Sequence, residues 1–397
     1  MEAHIVEWLN LLVRWIHFIV GVAWIGASFY FNWLENQLDR TRPQAEGIAG
    51  NLWAVHGGGF YHLKKFAVAP EKLPERLHWF KWEAYMTWVS GMCLLAVVYY
   101  FNANAFLIDK SVADLSTVEA CAIGLFAIIA SWYVYDFLCK SSLSEQPALL
   151  SASLFVYLFT LAIILSQLFS GRGAYIHVGA AIGTIMVGNV FFVIIPAQRE
   201  LVNALLENRM PDPQPGKDGL LRSRHNNYLT LPVLFIMISN HFPSTYGDKY
   251  NWFVLTAVSL IGIAVRHYFN IRHTPDRKVW ILPIAFFAMV LMLIYTAPRA
   301  PQIDTTKLNE AAALATTDVH PIIEQRCAVC HSTNPTQPGF SSPPQGLILE
   351  SVADIESHAH RIFAVTIASN IMPPGNVTGI TSAERDKLEL WYAYQSQ

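Results

Sequence analysis

Two cysteines separated by two residues and followed directly by a histidine, Cys327-Ala328-Val329-Cys330-His331, have the spacing best suited to chemistry in this chain. C-x-x-C-H is the spacing of c-type haem attachment. Thiols one helical turn apart can each add to a vinyl group of one haem, and the adjacent imidazole then reaches the iron. The competing reading is a redox or zinc C-x-x-C with an incidental histidine. A second axial ligand is expected at Met372, within Asn370-Ile371-Met372-Pro373-Pro374, where prolines stiffen the backbone beside a thioether. A Met ligand raises the potential relative to a second His, so such a haem accepts electrons readily. His358 and His360 compete for that position but fall on a polar helical face.

A second set of histidines lies in or at the ends of long apolar stretches. Ionisable residues in such places are costly and are functional candidates by default. His17, His177 and His241 share a depth, and neutral imidazoles at one depth suit a haem of b type. The alternative is a ring hydrogen-bonded to a neighbouring carbonyl or hydroxyl. A further group collects His56, His62, His225, His267 and His273 with Arg222, Arg224, Asn226, Asn227 and Arg266. Ordinary charge decoration of a membrane face accounts for most of these arginines. The segment 51–62, NLWAVHGGGFYH, is more specific: three glycines permit close backbone approach and flanking aromatics could cover a flat heterocycle. No two histidines are adjacent, so the His-His copper ligation of oxygen-reducing centres is missing.

These residues must be positioned by an apolar scaffold. The 397 residues are 53% hydrophobic and only 14% charged, with a mean hydropathy of +0.32 and a net charge of -2. Near-neutrality without a basic tract gives no electrostatic reason to expect nucleic acid. A bilayer core about 30 Å thick needs roughly 20 apolar residues per helix. Eight segments approach this: 9–34, 84–101, 118–139, 147–169, 175–196, 228–240, 252–269 and 279–296. The sixth is short, carries Pro232, and could begin upstream at Leu220. The first is too long, and too acidic before its apolar run, for a cleaved signal peptide. Cys93, Cys121 and Cys139 sit singly in apolar segments and read as packing residues.

Lys and Arg gather between spans one and two, five and six, and seven and eight, which places those loops in the cytoplasm. Both termini then face the periplasm, where c-type haem attachment is completed. The expected architecture is all-α: an eight-transmembrane-helix bundle over 1–297, a linker over 298–315, and a small soluble class I cytochrome c domain over 316–397. Helices over 319–325 and 382–394 would pack together in that domain, the second through Leu388, Trp391 and Tyr392.

Several motifs together resemble the membrane-bound, cytochrome c-containing urate oxidases, or urate hydroxylases. They are Arg14-Trp15-Ile16-His17 followed by Gly21, Trp24, Ile25, Gly26, Ser28 and Phe29; Val55-His56-Gly57-Gly58-Gly59-Phe60-Tyr61; and His225-Asn226-Asn227-Tyr228-Leu229-Thr230-Leu231-Pro232 with Ser239-Asn240-His241. The first-span pattern is also similar to small haem-binding membrane proteins with a His in the first helix, such as the membrane-type bacterial protoporphyrinogen oxidase, which supports a haem at His17 by analogy.

The resemblance implies oxidation of urate with water to 5-hydroxyisourate without peroxide, in the bacterial inner membrane. Electrons would leave through haem c, with haem b as a second cofactor, to a respiratory acceptor such as a terminal oxidase or a soluble cytochrome c. A planar anion would then meet a cation at Arg224 or Lys64, an aromatic lid from Trp53, Phe60 or Tyr61, an amide at Asn226, and a base at His56 or His225. The alternative function is a quinol- or dehydrogenase-linked electron-transfer protein. A transporter with an appended cytochrome finds no inverted repeat in its favour.

Overall fold

The computed structural model describes residues 2–41, 46–297, 314–338, 340 and 342–395. Of the linker expected over 298–315, all but the last two residues lie outside these. Helices dominate: α1 (Glu2–Gln37), α2 (Trp82–Leu94), the short α3 (Ala103–Phe106), α4 (Thr117–Lys140), α5 (Pro147–Ser166), α6 (Gly171–Gly188), α7 (Ile195–Leu206), α8 (Pro213–Ser239), the short α9 (Pro243–Tyr246), α10 (Asn251–Ile271) and α11 (Ile281–Tyr295). Among the described residues, five helical runs are long and apolar enough to cross a membrane: Glu7–Gln37, Thr117–Lys140, Pro147–Ser166, Gly171–Leu206 and Asn251–Ile271. The other three expected spans are not among these. The rod from Trp82 through its π-type turn to Tyr100 has polar residues in its first half, Glu83, Thr87 and Ser90 among them, Ile281–Tyr295 has only 15 residues, and the first half of α8 is charged. The upstream start allowed for the sixth segment is realised, since α8 begins at Pro213, capped by the Asp212 carboxylate on Gln214 N at 2.9 Å.

Helix starts follow local chemistry. Ser116 and Glu119 form a reciprocal capping box on α4, Pro147 opens α5, and Ser170 caps α6 through Gly173 N at 3.0 Å. Two rods widen into π-type turns, Leu95–Tyr100 after α2 and Asn189–Ile194 between α6 and α7. Such turns shift the register of side chains and frequently mark functional positions.

The core centres on α6, which packs against α2, α4, α5 and α8. Small residues let the backbones approach, as is usual between membrane helices. A Cβ on Gly124 would stand 2.4 Å from His177 Nε2, one on Gly188 2.3 Å from Trp132 Cε3, and one on Gly179 2.6 Å from Ile236 Cγ2.

The all-α expectation needs one correction: β1 (Ile48–His56) and β2 (Gly59–Phe66) form an antiparallel hairpin between α1 and α2. The glycines read as a ligand approach instead make the turn, Gly57 and Gly58 having φ of +56° and +80°. Two successive positive-φ residues give the twist that a two-residue hairpin requires. The hairpin is anchored at its base, where Asp39 and Asn51 exchange backbone hydrogen bonds of 2.8 and 3.3 Å.

Residues 314–395 build a second helical unit from α12 (Thr316–Ile323), α13 (Val352–Ser357), α14 (Ala359–Phe363) and α15 (Ser382–Gln395). Val319, Ile323, Leu388 and Trp391 share its core, so the two helices expected to meet do meet. Trp391, fully buried, donates its indole N–H to Thr316 Oγ1 at 3.2 Å.

Gly188→Ala is expected to destabilise the bundle by about 1–3 kcal/mol through overpacking on Trp132. Gly183→Ala, with no atom within 4 Å of the added methyl, should leave stability unchanged or slightly raised. Thermal unfolding of the detergent-solubilised variants measures both.

Candidate functional site

At the end of the bundle where α1 and α10 finish, Asn36 Nδ2 donates to Asn270 O at 3.1 Å, and polar side chains concentrate nearby. Arg222 of α8 is 4% exposed and pairs with Asp136 of α4 at 2.8 Å, whose other oxygen meets Lys140 at 2.7 Å. The guanidinium also donates to Asn189 Oδ1 at 3.3 Å and lies 4.9 Å from the Tyr135 ring centroid. Asn189, fully buried at the start of its π-type turn, gives its amide to Tyr135 Oη at 2.9 Å and Asn226 Oδ1 at 2.8 Å. Asn226 Nδ2 donates to Met186 O at 2.9 Å. Tyr135 Oη is 2.8 Å from His225 Nδ1. With the Asn189 amide donating to the phenol oxygen, the phenol proton is available to that imidazole nitrogen.

Asn227 anchors a neighbouring set. Its Oδ1 accepts from Arg266 Nε at 3.0 Å and Asn270 Nδ2 at 2.8 Å, and the Arg266 guanidinium sits 3.9 Å from the Phe29 ring centroid.

Beside this network a cleft of about 510 Å³ opens between α1, the 77–80 loop, α7 and α8. Trp24, Trp79 and Phe80 supply flat apolar walls, while Ser28, Gln198 and Asn226 supply hydroxyl and amide groups. His78 also lines it, its ring edge-on to Phe80 with centroids 4.5 Å apart. A few polar groups converging between aromatic faces are what a planar, hydrogen-bonding ligand requires.

The structure gathers some expected residues and separates others. Asn226 is on the cleft wall, and His225 is joined to it through Tyr135 and Asn189. Arg224 is exposed, whereas Arg222 is buried and shares its helix face with Asn226 one turn on. His56 is exposed at the hairpin turn and does not line the cleft. Trp53 stacks on His62 with centroids 4.2 Å apart, while Phe60 and Tyr61 are exposed, and none of the three lines the cleft. His78, Gln198, Asn189 and Tyr135 were missed, since no short motif marks them; Trp24 and Ser28 belonged to a motif without a role.

The three histidines of shared depth have different surroundings. His17 Nδ1 lies 3.0 Å from both Thr87 O and Ser90 Oγ on α2. His177 is fully buried, with Nδ1 2.8 Å from Gly173 O and Nε2 3.2 Å from Tyr100 Oη, so both ring nitrogens already have partners. His241 lies just beyond α8, exposed. As placed, His177 fits a packed core histidine better than an iron ligand.

In the C-terminal unit, Cys327 lies in a π-type turn and Cys330 beside it is buried, both as free thiols. Burial pushes the Cys327 thiol up to about 12, with the neighbouring Cys330 adding to the effect, and raises Cys330 as well. Burial lowers His331, whose Nδ1 is 3.2 Å from Leu347 O. A neutral imidazole held through Nδ1 presents Nε2 as a ligand. Met372 N donates to Val365 O at 2.9 Å, and Arg385 Nη1 to Met372 O at 3.2 Å. Among the described residues no three His, Cys, Asp or Glu side chains gather as a protein-only metal site would need. A haem asks for less: two thiols for attachment and two axial donors, a set that Cys327, Cys330, His331 and Met372 supply.

Comparison with curated proteins and with solved structures returns no match. The family model of the urate oxidase N-terminal region matches residues 3–297, from α1 to just beyond α11. That is well over half of the chain, and the protein belongs to the urate oxidase N-terminal family, whose members are tied to oxidation of urate.

Proposed function

We propose that this chain is a membrane-bound urate oxidase that converts the urate anion and water to 5-hydroxyisourate, releasing two electrons and one proton, and delivers the electrons to its own C-terminal cytochrome c. The observation that carries this reading is the amide- and aromatic-lined cleft inside the family-matched region. Trp24, Trp79 and Phe80 cover the faces of the planar purine. Asn226 keeps one amide hydrogen and one carbonyl lone pair beyond its bonds to Met186 and Asn189, and Gln198 and Ser28 add further donors and acceptors. Arg222, paired with Asp136 behind Asn189, holds the Asn189 carbonyl and through it the orientation of the Asn226 amide. His78 on the wall takes the proton released as water attacks.

Cys327 and Cys330 would hold the haem covalently, and His331 and Met372 would ligate its iron. Bound there, the haem would supply one-electron transfer towards a respiratory acceptor, a terminal oxidase or soluble cytochrome c. The eight expected spans, with loops 35–83, 197–227 and 270–278 in the cytoplasm of a bacterial inner membrane, would leave this unit in the periplasm. His17, against α2, remains the histidine best placed for a second, b-type haem.

Urate added anaerobically to air-oxidised membranes should reduce the c-type haem, and Cys330→Ala should remove covalent haem and the response together. A haem that stays oxidised with urate and is reduced by a quinol would instead make this a quinol-linked electron-transfer protein. Within the cleft, His78→Ala should lower turnover by about 10²-fold or more, the range for losing a general base, with covalent haem content intact. His56→Ala, at the hairpin turn, should leave turnover unchanged; the reverse pattern would move the base to the hairpin.

A further inference from the structure

Both sides of Met372 are pressed onto the outer end of the helix bundle. Before it, a Cβ on Gly247 would stand 2.7 Å from Ile371 Cγ2 and 2.9 Å from Ser369 Cβ. After it, a Cβ on Gly375 would stand 2.5 Å from Asn104 O and 2.6 Å from Ile108 O. Neither contact has room for a methyl group, so the 369–375 segment and the bundle meet at backbone distance. Phe340 adds an edge-on contact to Phe106, with ring centroids 6.5 Å apart.

The bundle side of this contact is a braced platform. Ser170 ties it to α6 twice, through Oγ to Phe106 O at 2.8 Å and through N to Leu107 O at 2.9 Å. Tyr175 Oη lies 2.6 Å from Asn251 O and 3.0 Å from Thr245 O, one proton between two carbonyls, and Asn251 Nδ2 donates to Tyr246 O at 3.2 Å. The Arg172 guanidinium lies 4.7 Å from the Phe106 ring centroid, and its Nε donates to Tyr99 Oη at 3.2 Å. On the other side, Val365 O and Arg385 hold the Met372 backbone as described above, and Arg385 also donates to Thr366 O. Asp109 of the platform lies close enough to Arg385 to act on its charge.

We propose that Gly247 and Gly375 are positioning residues for the axial Met: docking of the 369–375 segment on the 103–109 and 243–247 platform, and not the C-terminal unit alone, sets the placement of Met372. The proposal rests on the cytochrome reading of residues 316–397. A thioether on a flexible side chain ligates iron well only when its backbone is fixed, and a displacement of about 1 Å is costly at such a site. One consequence is that the haem potential becomes sensitive to the membrane domain.

Gly247 is the decisive position because it belongs to the bundle and has an ordinary φ of -85°, so Gly247→Ala adds a methyl group against Ile371 and Ser369 of the docked segment and against Pro243 O of its own turn. In the full-length protein, Gly247→Ala should keep its covalent haem yet lose most of the near-infrared Met-to-ferric-haem absorption. Its midpoint potential should fall, and urate-dependent haem reduction should slow by about tenfold or more. Adding Ile371→Ala, which removes the nearest of these contacts and leaves those with Ser369 and Pro243 O, should recover part of the band and of the potential. Ile371→Ala alone cannot clash, and by loosening the same contact it should weaken the band with haem content intact; it serves if Gly247→Ala does not accumulate. Normal haem content with an unchanged band and potential in these variants overturns the proposal. Absence of covalent haem in the unaltered protein overturns the cytochrome reading itself.

Discussion

A guanidinium enclosed by apolar helices is tolerable only where a carboxylate and further acceptors surround it, and Arg222 imposes that condition on the bundle. Removing one partner from a buried ion pair costs about 3–5 kcal/mol because the other charge stays buried and uncompensated. Asp136 must therefore face α8 from α4, and Asn189 must face both from α6. The π-type turn that begins at Asn189 accommodates this demand, since a regular helix would carry the following residues past the register they occupy. The close packing of α4 on α6 at Gly124 and Gly188 then follows from bringing these polar groups within hydrogen-bonding distance.

The cleft inherits its polarity from that network. Asn226 reaches the cleft wall while tied to Asn189 and Met186, so its amide is oriented before any ligand arrives. An amide held in this way loses little freedom when it binds, which favours a ligand with matching edges. The aromatic walls come from a different source, α1 and the 77–80 loop, which the hairpin connects. Polar floor and aromatic sides thus belong to separate parts of the chain.

At the opposite end, short segments do the positioning. The 103–109 and 243–247 stretches are pinned to the start of α6 by Ser170 and Tyr175, and the C-terminal unit rests on them. Since α6 also carries His177 and leads into Asn189, one central helix joins both ends of the bundle. An event at the cleft and the seating of the Met372 segment therefore share a common support.

From its residues alone the chain declares apolar helices of membrane-spanning length, a C-x-x-C-H spacing and a proline-bounded Met, and the two helices that meet around Trp391. Each of these rests on short-range pattern: apolar length, a C-x-x-C-H spacing, a helical stripe. The hairpin was legible in the two glycines and the alternating aromatics of 51–62, but a chemical reading of the same residues obscured it. The cleft was only half legible. Asn226 and His225 sit in a motif, whereas His78, Gln198, Asn189 and Tyr135 are single polar residues in separate segments. The choice of Arg222 over Arg224 could have been read from helical periodicity, as residues 222 and 226 share a face. Which side chains converge across α1, α4, α6 and α8 is decided by how helices approach one another. That approach depends on small residues and buried charges whose partners lie 33 to 86 positions away in sequence, beyond the reach of any local pattern.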